Sequence, residues 1–471
     1  MDKSTLFSVV DAALLERFGG ILGNRYVHVD EETLANCGHD ETEDLFFKPD
    51  CVLEPGTAEE VAEILTLCHA RYIPVTVRGG GSGLAGGALP VAGGVVLWMK
   101  RFDRIIELDT ANFQVTLEPG VITEVLQRTL IEQGLYYPPD PSSRGWSFIG
   151  GNVGTNAGGP RAVKYGVVKD YVLNLEVVLP TGEVIWTGAN TLKNATGYNL
   201  TQLMVGSEGT LGVITKIVLK LIPFPSKNLL MLASFPSAEK ACAAVAAIFQ
   251  SGVTPSALEF MERSAIDWAI KYLEDVNLDV SEVVQAHLLI EVDGFHLDSL
   301  YADCEVVSSV LEKFDCGEIL FADNDATKAD LWKLRRNVAH AVKQNSIYKE
   351  EDTVVPRACL PALLRTVKAI GRQYGFESVC YGHAGDGNLH VNILRGDLND
   401  HQWDVEVTAG IRQIFTYVKS VGGTISGEHG VGYVQRPYLD LVFSPVELRL
   451  REAIKQVFDP HGILNPGKVH Q

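Results

Sequence analysis

Between residues 50 and 223, short β-branched runs alternate with stretches whose apolar residues recur every three or four positions, the pattern of an α/β layer. "TAEEVAEILTLCHARY" predicts a helix with Thr57 as N-cap and Glu60 three residues on, a capping box. "IPVTVRG", "GGVVLWM", "FQVTLEPG", "VLNLEVVLPTGEVI" and "LGVITKIVLKLIP" predict strands, with a helix over "ITEVLQRTLIEQG". Pro223 and Pro225 close this unit. Residues 226 to about 415 predict a second α/β domain, with strands at "LLMLASF" and "QAHLLIEVDG" and a helix at "SAEKACAAVAAIFQSG". After 430 the chain reads as mostly helical.

The alternation richest in chemistry is "CYGHAGDGNLHVNIL" (380–394), two short strands around a turn at Gly385-Asp386. With a loop of two or four residues, His383 pairs across from Asn388. Cross-strand partners share a face, and so do residues two apart on a strand. His383, Asn388, His390 and Asn392 then project from one side, and Leu389, Val391 and Ile393 form an apolar opposite side. A three-residue loop would split the histidines between the faces. "SGEHGVG" (426–432) adds Glu428 and His429 between glycines. Two imidazoles and a carboxylate are a common catalytic zinc set with one position open for water or substrate. The plainer alternative is a pair of hydrogen-bonded histidines beside a turn.

Three glycine-rich segments lie in the first unit. "RGGGSGLAGGALP" (78–90) contains a literal GxGxxG, but Pro90 and another strand follow at once, leaving no room for the helix that this dinucleotide fingerprint must open. What remains is a loop between strands whose backbone N–H groups can converge on a phosphate. "PPDPSSRGWSFIGGNVGTNAGG" (138–159) reads as a long functional loop, and "VGSEGTLGVIT" (205–215) as a glycine turn entering a strand. Together they suggest an extended dinucleotide lying across the domain.

At 471 residues the chain needs two or three domains. Its net charge of −19 argues against nucleic acid and against an anionic membrane surface. Eight scattered cysteines without a CxxC spacing encode neither an iron–sulfur cluster nor a zinc ribbon and suit a reducing cytoplasm. "MDKSTLFSVVDAALLERFGG" reads as an amphipathic helix and not a signal peptide, and no apolar run approaches the ~20 residues of a membrane span.

The motifs "PVTVRGGGSGLAGGALP", "GGNVGTNAGG", "GSEGTLGVIT", "GHAGDGNLHVNI", "SGEHGVG" and "LNPGK", in this order, resemble the FAD-linked D-2-hydroxyacid dehydrogenases across about residues 40 to 469. These are the glycolate oxidase catalytic subunits, D-lactate dehydrogenases and D-2-hydroxyglutarate dehydrogenases, with the vanillyl-alcohol-oxidase fold. The resemblance implies an α+β chain in three parts. A two-subdomain FAD-binding domain would span 1–223 and a ferredoxin-like substrate domain 224–415. A helical segment, 416–471, would return to the flavin.

By position, the resemblance implies FAD contacts at Pro74, Arg78, Gly79, Gly80, Gly81, Ser82, Gly83, Asp140, Ser147, Gly151, Asn152, Gly158, Glu208, Gly209, Ile214 and Asn465. Relatives with covalent flavin place a histidine in the first glycine loop, and this loop has Ser82 and no histidine, so dissociable FAD is expected. His383, His390 and Glu428 would hold zinc or another divalent ion, with His429 as base. Glu428 and His429, read as neighbours on an extended stretch, would point oppositely. Arg335 in "LWKLRRN" would bind the substrate carboxylate, with Lys349 in "YKEEDTVVPR" a second cationic position. Ala339 stands one helical turn after the arginine where the D-2-hydroxyglutarate enzymes have threonine, which favours D-lactate or a similar monocarboxylate.

The expected reaction is oxidation of a D-2-hydroxyacid to the 2-oxoacid, with hydride to flavin N5. Electrons would leave to oxygen, a quinone, an electron-transfer flavoprotein or an iron–sulfur subunit, and a homodimer is possible. Two rivals use the same residues differently: a zinc hydrolase without flavin, and a non-catalytic flavin subunit of a complex.

Overall fold

The computed structural model describes residues 7–469 apart from 43, 274, 275 and 277. Two compact units emerge. The first takes the chain up to Ala157, Val167–Phe224 and everything from Glu428 on; the second takes Gly158–Gly166 and Pro225–Gly427.

In the first unit, β1 (Val27–His28), β2 (Cys51–Leu53), β3 (Val75–Arg78) and β4 (Val95–Trp98) form a sheet in the order β1-β2-β4-β3. β2, β4 and β3 run parallel, and the valines and leucines of β2 and β4 are wholly buried. Parallel strands covered on both faces read as continuous apolar runs. Helix Ala58–Arg71 separates β2 from β3 and starts as its sequence indicates, with the Thr57 hydroxyl accepting from Glu60 N. The Glu60 carboxylate bonds Gly56 N at 2.6 Å, one residue before the cap, so the box is shifted at that end.

A second sheet is antiparallel: β5 (Ile105–Asp109), β6 (Gln114–Leu117), β8 (Val172–Val178), β9 (Val184–Trp186) and β10 (Val213–Lys220), in the order β5-β6-β10-β8-β9. The two-residue strands β7 (Leu135–Tyr136) and β11 (Ile222–Pro223) pair separately. The run "VLNLEVVLPTGEVI" is therefore two strands, because Gly182 at φ +98° turns it between β8 and β9. The stretch 138–159, expected to be loop throughout, contains helix Ile149–Thr155, whose Ile149, Asn152 and Val153 are buried at helical spacing. Its glycines masked that periodicity.

The second unit is one seven-stranded antiparallel sheet: β12 (Lys227–Phe235), β13 (Ala257–Glu262), β14 (Ala286–Gly294), β15 (Ile319–Ala322), β16 (Tyr348–Val354), β17 (Glu377–Gly382) and β18 (Asn388–Leu394). Its order is β15-β12-β14-β13-β17-β18-β16. With helices Ala238–Gln250 after β12 and Leu297–Leu311 after β14, the first four strands make a ferredoxin-like β-α-β-β-α-β unit. Leu230, Leu232, Met261, Leu289 and Val379 pack one face against helices Arg263–Tyr272, Asp325–Arg336 and Val338–Asn345. The chain stays in this unit past residue 415, because Thr424 bridges Val354 and Gly427 N donates to Asp352; the return to the first unit falls at Glu428, not at 416. Among the described residues no helix is long and apolar enough to cross a membrane.

Candidate active site

Pairing of Tyr381 with His390 and Cys380 with Val391 sets a register that, carried forward, puts His383 opposite Asn388. Asn388 N donates to His383 O at 3.2 Å across a loop of residues 384–387. Four residues is a length that keeps the histidines on one face, as the alternation requires. Gly387 closes the loop at φ +77°, and a Cβ there would lie 1.9 Å from Val355 O, so no other residue fits. The two imidazole centroids are 5.4 Å apart with planes at 83°, and a ring nitrogen of each lies within 4.8 Å of the other. Leu389, Val391 and Ile393 are buried on the opposite side.

Both Nδ1 atoms are turned toward carboxylates. His383 Nδ1 sits 2.9 and 2.8 Å from the two oxygens of Glu259, in β13. His390 Nδ1 is 3.4 Å from Glu350 Oε1 and 3.8 Å from Asp352 Oδ1, both on β16. At His383 such a partner fixes the tautomer and leaves Nε2 with its lone pair, the usual support for a metal-ligating histidine.

Asp352 also ties down the chain that follows. Its Oδ1 accepts from Asn388 Nδ2 (2.7 Å), and its Oδ2 from Gly427 N (2.7 Å) and Ser426 Oγ (3.2 Å). Glu428 and His429 come one and two residues beyond this anchor, in a bend and not in an extended strand, so strand alternation does not separate their side chains. Imidazole nitrogens with a carboxylate suit zinc or another divalent ion, and the donor set fits the expected metal.

Arg335, in the helix that packs on this face, is 5% exposed. Its Nη2 lies 2.6 Å from Glu259 Oε2 but off the hydrogen-bonding line, so Nε and Nη2 are both buried without an acceptor among the described residues. Asn388 Oδ1 is also buried without a partner there. The Tyr381 ring lies 5.2 Å from the guanidinium, and burial holds its phenol well above the ordinary range.

Lys349 is not part of this site. It pairs with Ile393, which places it on the opposite face of β16, and its Nζ donates to Trp403 O at 2.8 Å. Glu350, the next residue, occupies the expected face instead. The helix carrying Arg335 ends at Arg336 and another begins at Val338, so Ala339 is not one turn further along a continuous helix. Glu259 and Asp352 escaped sequence reasoning. The available signal for Glu259 was a lone carboxylate inside the apolar run "ALEFM", a costly position unless it is paired.

In the first unit the three glycine segments meet at the end of β3. A Cβ on Gly80 would fall 2.5 Å from Trp146 O, so the 79–83 loop abuts the segment carrying Ser147 and Gly151. Gly80, Gly81, Ser82 and Gly83 donate no backbone hydrogen bond to the described residues, which leaves N–H groups for phosphate oxygens. Ser147 bonds Thr123, which also accepts from Asn152 Nδ2 at 2.7 Å. Asn465 joins the third segment: Oδ1 accepts from Val77 N and Nδ2 donates to Glu208 O, beside Gly209.

The remaining expected contacts have structural partners. Arg78 donates to the carbonyls of His39 and Asn36, Asp140 pairs with Arg144, and the Pro74 carbonyl accepts from Val95 N. Ile214 lies in β10, and Gly158 opens the short segment belonging to the second unit.

Comparison with known proteins places these two regions in one context. Residues 49–188 match the FAD binding domain, and residues 224–469 the C-terminal domain of FAD linked oxidases. The chain is 37% identical over 470 residues to a D-lactate dehydrogenase of Anaerostipes hadrus, covering 98% of each. It is 38% identical over 424 residues to glycolate oxidase subunit GlcD of Bacillus subtilis, covering 89% of each. Among solved structures, p-cresol methylhydroxylase with substrate bound superposes with a TM-score of 0.79 at 17% identity, over 98% of this chain and 97% of that one. The fold is thus of the vanillyl-alcohol-oxidase type, and the chain belongs to the FAD-linked oxidases as a member of the FAD-linked D-2-hydroxyacid dehydrogenase family, an oxidoreductase of hydroxyacids.

Proposed function

We propose that the protein oxidises a D-2-hydroxyacid, with D-lactate or glycolate favoured, to the 2-oxoacid using dissociable FAD and a divalent metal ion. One observation carries the reading. Two histidines, one of them held through Nδ1 by the Glu259 carboxylate, share a buried sheet face with a guanidinium whose Nε and Nη2 lack acceptors among the described residues, a surface suited to an anion beside a cation.

In this reading His383 and His390 hold the ion together with Glu428, which follows the Asp352-anchored Gly427. When bound there, a divalent ion would supply positive charge beside the substrate hydroxyl and so lower its pKa. Arg335 receives the substrate carboxylate on its Nε/Nη2 edge through two parallel N–H···O bonds. His429 takes the hydroxyl proton. FAD, when bound, supplies the acceptor for the C2 hydride. The electrons then need an acceptor outside the chain: a quinone, an electron-transfer flavoprotein or an iron–sulfur subunit. Free thiols at all eight cysteines fit a reducing cytoplasm.

The test is dye reduction by FAD-loaded protein with D-lactate, L-lactate, glycolate and D-2-hydroxyglutarate. Turnover led by D-lactate or glycolate is expected. Preference for L-lactate, or no turnover of any hydroxyacid with FAD bound, would overturn the reading.

A further inference from the structure

Glu259 is wholly buried in the middle of β13, and it touches two groups that the proposed reaction uses. Its oxygens lie 2.9 and 2.8 Å from His383 Nδ1, and Oε2 lies 2.6 Å from Arg335 Nη2. From this geometry we infer that Glu259 is a positioning residue shared by the metal ligand and the carboxylate receptor, so that metal affinity and substrate affinity depend on one side chain. The inference rests on the metal-dependent reading above.

With Nδ1–H donating to a carboxylate, His383 keeps one tautomer and presents a more basic Nε2 to the ion. At Arg335 the same carboxylate balances the guanidinium charge in a site too dry to leave it unpaired. Because that contact is off the hydrogen-bonding line, it holds the arginine without occupying the Nε/Nη2 edge. Glu259 thereby anchors Arg335 and leaves its fork open.

A merely structural role for a buried charge has a natural comparison in Glu291. It lies on the same sheet face, is 1% exposed and is as firmly paired, with Arg161 at 2.5 and 3.2 Å and with Trp332 Nε1 at 2.7 Å. It has no such contact with His383 or Arg335. Glu291→Gln therefore removes a buried carboxylate from the same sheet without touching the proposed site.

The experiment compares Glu259→Gln and Glu291→Gln with the unmutated FAD-loaded protein. Zinc affinity is measured by competition with a chromophoric chelator in the absence of substrate, and KM and kcat for D-lactate at saturating zinc. Glu259→Gln is expected to weaken zinc binding about 10- to 100-fold, the usual cost of losing such a partner. At saturating zinc it should recover most of kcat while KM stays raised about tenfold or more. Glu291→Gln should leave zinc affinity and KM unchanged. If Glu259→Gln binds zinc like the unmutated protein, or Glu291→Gln weakens it equally, the inference is wrong. If the unmutated protein binds no zinc or other divalent ion, it is the metal reading that fails. Should Glu259→Gln not fold, imidazole nitrogen NMR of the unmutated protein decides: His383 protonated on Nδ1 before zinc is added supports the inference, and protonation on Nε2 overturns it.

Discussion

The Glu208 carboxylate grips the backbone just beyond His429, accepting from Val431 N and Gly432 N at 2.8 Å each. Glu208 is itself held at φ +51°, its N–H donating to Gly154 O and its carbonyl accepting from Asn465 Nδ2. The clamp therefore has a rigid base, and the segment two residues after the proposed general base has fixed partners. Glu208→Ala removes both acceptors at once. Burial raises the Glu208 carboxyl to about 7, so above that pH, where it is ionised, amide hydrogen exchange at Val431 and Gly432 should accelerate at least about tenfold, since a hydrogen bond to a charged group is worth roughly 1.5–3 kcal/mol. Unchanged protection at both amides would rule out the clamp.

Lys468 gives a pH prediction. It is 2% exposed and donates to Gly87 O and Asn465 Oδ1, and burial lowers its ammonium from 10.5 to about 7 although Asp40 and Glu208 act against the shift. Because the folded value lies below the unfolded one, the folded chain binds fewer protons than the unfolded chain between these limits. Its contribution to stability is lowest below pH 7 and rises as pH climbs from about 7 toward 10.5. Thermal midpoints of the unmutated protein and Lys468→Met should diverge over that window, increasingly in favour of the unmutated protein. A pH-independent difference would mean that Lys468 titrates normally.

The histidine face was legible in the sequence because a period of two and a glycine turn determine it locally. Glu259 was not, since its contact with His383 spans 124 residues and depends on β13 lying beside β17. Strand parity explains the failure at Lys349. "YKEED" is polar or amphipathic at every position, so no alternation shows which residues face the histidines, and a shift of one exchanges Lys349 for Glu350. The helix at Ile149–Thr155 was hidden for another reason: glycines weaken the apolar period without preventing the helix where Ile149 and Val153 are buried.

Chelation separates the metal from the flavin. None of the three proposed metal ligands lies in a glycine segment, so removing the ion should abolish D-hydroxyacid oxidation and leave bound FAD in place. Flavin absorbance after gel filtration and elemental analysis check both halves. Full activity in a sample shown to be free of metal would end the metal reading.

Arg335→Lys keeps a charge near Glu259 but loses the planar Nε/Nη2 edge. A point charge cannot make the paired bonds to a carboxylate. KM for D-lactate should rise and kcat fall, for a loss in kcat/KM of about 10- to 100-fold, the equivalent of one charge-assisted hydrogen bond. Kinetics matching the unmutated protein would mean that the substrate carboxylate binds elsewhere.

His429 and Glu428 are adjacent, and only their chemistry tells them apart. A general base typically contributes roughly 100- to 10,000-fold, so His429→Gln should slow flavin reduction by that factor. Substrate should still bind, because Arg335 and the ion retain its carboxylate. Bound metal should also survive, unlike in His383→Ala or His390→Ala, where a ligand is lost. The measurement is single-turnover flavin bleaching with D-lactate, paired with metal analysis of each variant. If His429→Gln loses its metal while Glu428→Gln keeps it, the roles are exchanged: His429 is the third ligand and Glu428 the base.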